Sequence, residues 1–169
     1  MRRNVLTLFA SAALCAWVSA QGSPPLTAEI QVKQFKANRI LIESLVDHGI
    51  ELASAESPLR RAEACQRTAG TLAHYIARAA GNEDPDRVAE FVTLFGVVVR
   101  DGVVPNMEEA KRQSTDPKSL AGALQGIREK TRDDLDGVLK AIPKEGKVAE
   151  NDKVKSALAA LQELAGKFN

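Results

Sequence analysis

Aromatic residues are scarce: one Trp, one Tyr and five Phe among 169 residues. A folded core must therefore be built from Ala, Leu, Val and Ile, and small side chains on facing helices let the axes approach closely. Cysteine is almost absent, with Cys15 and Cys65 alone. Neither sign of charge dominates, since 23 basic residues face 22 acidic ones. That balance offers no general case for nucleic acid or an anionic membrane as partner. The motifs that announce common chemistries are missing as well. There is no G-x-x-x-x-G-K-[ST] loop to cradle phosphates and no G-x-S-x-G elbow to present a nucleophile. No H-E-x-x-H, paired C-x-x-C or C-x-x-C-H occurs, which removes the usual zinc and haem-attachment spacings. No N-x-[ST] sequon is present.

What is present begins with an export pattern. Arg2 and Arg3 form a positive start, Val5 to Val18 is apolar apart from Thr7 and Ser11, and Val18-Ser19-Ala20 offers a small-residue cleavage site. Residues 1–20 are expected to be a signal peptide and 21–26 a flexible lead. One helical domain is expected over 27–169, with the protein exported to the periplasm or outside the cell. Leu14 before Cys15 is too large for a lipoprotein cleavage box. Arg2-Arg3 fits an ordinary signal better than a twin-arginine one, because no cofactor motif downstream calls for export in a folded state. Removing residues 1–20 takes two arginines and no acid, leaving 21 basic against 22 acidic residues, a net −1. It also removes Trp17 and Cys15. Cys65 then stands alone among Ala62, Ala64 and Ala69 and reads as a buried small hydrophobe. The other role open to it is an intermolecular disulfide or a reactive thiol. No second long apolar run follows, so no transmembrane span is expected in the remaining chain.

Periodicity predicts an all-α bundle of about five helices. A long first helix from Thr27 carries Ile30, Phe35, Ile40, Leu41, Leu45, Val46 and Leu52 near helical spacing, with Gly49 placed to weaken or bend it. Ser57-Pro58, Asp84-Pro85 and Asp116-Pro117 each set an N-cap acceptor before a proline at the first helical position. The helix from Pro58 turns Leu59, Ala62, Ala69, Leu72, Ala73 and Ile76 to one side, with Gly81 as its expected terminating residue. The helix from Pro85 is the most apolar segment and is expected to be central, although its valines leave a strand open over 91–99. Asp101-Gly102 and Pro105 are expected to break or kink it. Asn106 to Glu109 resembles a capping box for a short continuation through Arg112. Val97 to Val104 is the place where an exposed apolar patch is expected. Leu120, Leu124, Ile127, Thr131, Leu135, Val138 and Ile142 define the helix from Pro117. Pro143–Gly146 reads as a linker, and a last helix from Asn151 or Asp152 turns Val154, Leu158, Leu161, Leu164, Ala165 and Phe168 inward.

Candidate sites are sparse. Asp134-x-Asp136-Gly137 imitates part of a calcium loop, but the register puts Arg132 first and Pro143 twelfth, where a bidentate Glu is needed. Asn82-x-Asp84-x-Asp86 lacks the following Gly and has Thr93 twelfth. The two read better as a solvated helix face and a helix cap. His48 and Glu51 could share a helix face and are the nearest approach to a metal-ligand pair, but third and fourth ligands are not visible. His74 is too far from Cys65 along one helix to join it. No catalytic residue, cofactor-binding residue or cofactor is assigned. Glu43, Asp47 and Glu51 form an acidic stripe on the first helix. Arg60, Arg61, Arg67 and Arg78 make the second basic, so the two are expected to pair with each other.

Three segments carry a resemblance: Ser57-Pro58-Leu59-Arg60-Arg61-Ala62-Glu63-Ala64-Cys65, then Asp86-Arg87-Val88-Ala89-Glu90-Phe91, then Gly102-Val103-Val104. The block from Leu45 to Val104 that contains them resembles a helical region of exported bacterial proteins with no assigned activity. The resemblance implies an exported domain and supplies no catalytic residues. The function expected is a non-enzymatic helical bundle acting through contacts with a protein partner. The alternative is a periplasmic sensor or a domain binding a small ligand or metal.

Overall fold

The computed structural model describes residues 28–168, and the fold is all-α. The segment assigned to export, residues 1–20, and the lead 21–26 lie outside the described residues. The helices are α1 (Ala28–Ser54), α2 (Pro58–Gly81), α3 (Pro85–Val97), α4 (Val104–Gln113), α5 (Pro117–Ala141), the single turn α6 (Lys147–Glu150) and α7 (Asp152–Ala165). A π-helical turn, Val98–Val103, joins α3 to α4 without a break. The chain divides into two units, residues 1–38 and 39–169, with the boundary inside α1. In the first unit the described residues are the opening turns of α1. The second unit holds the rest of α1 and all other elements.

The helix starts follow from their sequence. The Ser57 hydroxyl accepts from the Arg60 amide at 3.3 Å, the Asp84 carboxylate from Arg87 at 3.2 Å, and the Asp116 carboxylate from Lys118 and Ser119. A proline occupies the first turn in all three. Each cap satisfies a backbone donor that the helix itself leaves free. Asn151 does the same for α7, accepting from Lys153 and Val154.

The end of α2 differs from expectation. Gly81 is its last helical residue, and the left-handed position belongs to Glu83 at φ 53°. Asp84 N–H donates to the Ala79 carbonyl and Glu83 N–H to Ala80, each at 3.1 Å. This is the 6→1 and 5→2 pattern of a Schellman ending. Asp84 thereby closes α2 and caps α3 at once.

The segment expected to break or kink at Asp101-Gly102 and Pro105 departs from α-helical geometry by widening into the π turn. Val104 N–H reaches back five residues to the Val99 carbonyl. A proline cannot supply the N–H of an α-helical turn, and its ring crowds the preceding carbonyls. A π turn gives that ring room. Asn106 does not act as a cap there. Its side-chain amide donates to the Gly102 carbonyl at 2.8 Å and its oxygen accepts from Arg61 Nε at 3.1 Å. No strand occurs among the described residues, so 91–99 is helix.

In the second unit α2 packs against α3, the π turn, α4 and α5, while α7 covers α3 and touches α5. Buried Ala62, Ala64, Ala69, Ala79 and Ala80 give α2 the slim profile that this many neighbours require. The core forms two clusters. The larger gathers Leu72 and Ile76 of α2, Val88, Val92 and Phe95 of α3, Leu135 and Val138 of α5, and Val154 and Leu161 of α7. The smaller joins Ala62 and Cys65 to Val103, Met107, Ala110, Leu124 and Ile127. Val148 of α6, in a stretch not expected to be helical, is buried in the larger cluster. Thr131 is the buried polar residue of α5, and its hydroxyl donates to the Ile127 carbonyl at 2.7 Å. Among the described residues no helix is long and apolar enough to cross a membrane.

Candidate functional site

Chemistry-bearing side chains are dispersed rather than convergent. His48 is half-buried on α1, and its buried Nδ1 has no hydrogen-bond partner. Glu51 is not turned to a shared ligand position, because Arg67 of α2 takes both of its oxygens, Nε at 3.1 Å and NH2 closer still. That pair links the acidic stripe of the first helix to the basic second helix, as their charges require. His74 is exposed and lies edge-on to Tyr75, which in turn meets Phe91 edge-on at 6.4 Å. Among the described residues no group of three or more His, Cys, Asp or Glu side chains is placed to hold a metal ion.

Cys65 is free and buried. Burial pushes its thiol above the ordinary range, which disfavours the thiolate that nucleophilic or redox chemistry requires. It lies hard against the π turn: a Cβ added to Gly102 would stand 2.8 Å from the Cys65 sulfur and 3.2 Å from its Cβ. Gly102 is therefore the residue that lets the π turn close onto α2.

The two acidic clusters serve the fold. Asp134 and Asp136 lie inside the regular α5 rather than in a loop. Asp136 is exposed, whereas half-buried Asp134 accepts from Gln66 Nε2 of α2 at 3.0 Å. Burial raises the Asp134 carboxyl above the ordinary range, opposed by the Gln66 hydrogen bond. Of the other cluster, Asp84 is the helix cap and Asp86 pairs with Lys153 of α7 at 3.4 Å.

Two surface features remain, and neither falls where the sequence suggested. Val97 is exposed, but Val99 and Val103 are fully buried, so Val97–Val104 forms no continuous patch. Most of the exposed large apolar side chains are on α1, with Leu94 and Val97 of α3 exposed as well. In the second unit Leu41 is buried and Leu45 packs on the core, while Ile40 (67% exposed), Ile42 (45%), Val46 (54%) and Ile50 (64%) face outward. In the first unit Val32 and Phe35 are likewise exposed. Leu41, Leu45 and His48 mark one face by their i, i+4, i+7 spacing. Ile42, Val46 and Ile50 mark another at i, i+4, i+8. Of the apolar positions at helical spacing, Leu41 and Leu45 thus lie inside, whereas Ile40, Val46 and Leu52 are exposed.

The second feature is a cavity of about 320 Å³ between α4 and α5. Pro117, Leu120, Ala121, Leu124, Gln125 and Arg128 line it from one face of α5. Met107 and Lys111 come from α4, and Ser114 from the three-residue joint. Sequence reasoning missed it because the cavity depends on how two faces diverge, which periodicity does not report.

No protein-family model, no curated protein and no solved structure matches the chain.

Proposed function

We propose that this is an exported, non-enzymatic helical domain that works through protein contacts, with the outer face of α1 as the contact surface. The observation that carries the reading is the exposure of Ile42, Val46 and Ile50 along one face of α1. Contiguous exposed apolar surface on a folded domain marks an interaction site. Export is supported by the pattern of residues 1–20 and by the resemblance of Leu45–Val104 to exported bacterial helical domains. A non-enzymatic role is supported by a buried, raised thiol and by a glutamate already committed to an arginine.

The occupant that best fits this face is α1 of a second copy. Lys33, Lys36 and Arg39 precede Glu43, Asp47 and Glu51 along the helix. An antiparallel pairing brings the basic half of one copy beside the acidic half of the other, whereas a parallel pairing sets like against like. Laying the basic cluster over the acidic one centres the crossing near Ile42. In that register Lys36 faces Asp47.

Charge reversal tests the pairing. Lys36→Glu and Asp47→Lys each place like charges opposite one another twice per dimer and should weaken self-association several-fold. Mixing the two variants restores both pairs in a heterodimer and should recover it. A mixture that associates no better than either variant alone removes the antiparallel pairing.

A further inference from the structure

The cavity between α4 and α5 has a chemical character of its own, separate from the α1 surface. Its floor is apolar, formed by Met107 of α4 and by Leu120, Ala121 and Leu124 of α5. Its charged lining is of one sign. Lys111 and Arg128 contribute cations, and no Asp or Glu lines the cavity. Elsewhere in the described chain most arginines are occupied. Arg39, Arg60, Arg67, Arg87, Arg100 and Arg112 all sit on carboxylates. Neither Lys111 nor Arg128 forms an ion pair or a side-chain hydrogen bond among the described residues, and Arg128 is half-buried at the cavity wall. A half-buried guanidinium without a counter-charge has given up part of its hydration without replacing it.

We propose that this cavity binds a small amphipathic carboxylate, with its apolar body on Leu120, Leu124 and Met107 and its anionic head held by Arg128 and Lys111. The planar fork of an arginine matches a carboxylate with two parallel hydrogen bonds, and a lysine adds a mobile point charge. A volume of about 320 Å³ stands at the lower end of the range for small-molecule sites, roughly 300–1,000 Å³, so the ligand is small. The spacing of the lining also has a direction. Leu120 and Leu124 lie one turn apart on α5, and Arg128 one turn further. An elongated ligand therefore lies along α5 with its apolar body over Leu120 and Leu124. This binding does not depend on α1 pairing, since no residue of α1 lines the cavity.

The test uses the purified protein and two probes of equal tail, octanoate and uncharged octanol, followed by amide and methyl NMR shifts. Octanoate should shift the signals of Met107, Leu120 and Leu124 saturably, and octanol should bind much more weakly. Arg128→Gln and Lys111→Gln, which remove charge while keeping a long polar side chain, should each raise the octanoate Kd roughly tenfold, the loss of a charge-assisted contact. Ala121→Phe, at an exposed position that projects into the cavity, should abolish binding with both cations intact. Octanol binding as tightly as octanoate would overturn the proposal without any variant being required. So would unshifted cavity signals at about 10 mM octanoate, an affinity below about 3 kcal/mol, or an Ala121→Phe protein that folds and binds normally.

Discussion

Gly102 and Cys65 meet more closely than any side chain larger than hydrogen would allow. Alanine at 102 places a methyl carbon 2.8 Å from a buried sulfur. Either α2 or the π turn must then move, at a cost typical of overpacking, about 1–3 kcal/mol. Combining Gly102→Ala with Cys65→Ala should recover part of that loss, and a double-mutant cycle of denaturant unfolding measures the coupling. Additive losses would show that the contact does not limit the turn. Asp134 gives a prediction of opposite sign. Its carboxyl is raised by burial, so the folded state binds its proton more readily than the unfolded chain does. Its contribution to folding is full below the ordinary aspartate range and is lost as pH rises through the raised value. Asp134→Asn keeps an oxygen for Gln66 and removes the charge. It should therefore stabilise the protein at neutral pH, with the gain fading toward acid. Melting curves of the two proteins that stay parallel across pH would contradict this. Cys65 was legible as a buried small residue from its alanine neighbours. The need for Gly102 was not, because it arises from a contact 37 positions away in sequence.

At the scale of elements, boundaries with a local chemical cause could be read directly. Ser57, Asp84, Asp116 and Asn151 cap helices as their types and the prolines after the first three predict. Boundaries set by competition between local rules could not. Glycine is the default left-handed terminator, yet α2 runs through Gly81 and ends on Glu83. The reason is that Asp84 must reach both the α2 carbonyls and the α3 amides, which fixes the turn two residues later. A left-handed L-residue costs about 1–2 kcal/mol. Glu83→Gly should therefore raise stability by about 1 kcal/mol, less the entropy that glycine adds to the unfolded chain. A destabilised Glu83→Gly protein would mean that the Glu83 side chain contributes more than its backbone strain costs. Pro105 shows the same competition between local rules. It marks a distorted turn, and the helix absorbs the distortion by widening rather than by stopping.

For the whole molecule, helical periodicity sufficed to give an all-α bundle and most of the α5 and α7 core positions. It did not reveal which side of α1 is covered. Leu41 and Leu45 are inside while Ile40, Ile42 and Val46 are outside, and both sets are equally apolar. Hydropathy alone cannot separate a core face from an interface, since both bury the same side chains in the assembled state. The α4–α5 cavity was hidden for a related reason: Leu120 and Leu124 have the spacing of core residues, and only the geometry leaves room beside them. The account as a whole rests on the outer face of α1 being covered by a second copy. Sedimentation equilibrium of the purified protein, beside Ile42→Glu, tests this most directly. Ile42 is half exposed in the single chain, so the glutamate should leave the circular dichroism spectrum unchanged, yet in a pair it would bury a charge at the crossing point. The account predicts a dimer that loosens with salt and an Ile42→Glu protein that sediments as a monomer; a parent protein that stays monomeric at high concentration, or an Ile42→Glu protein that dimerises as well as the parent, would contradict it.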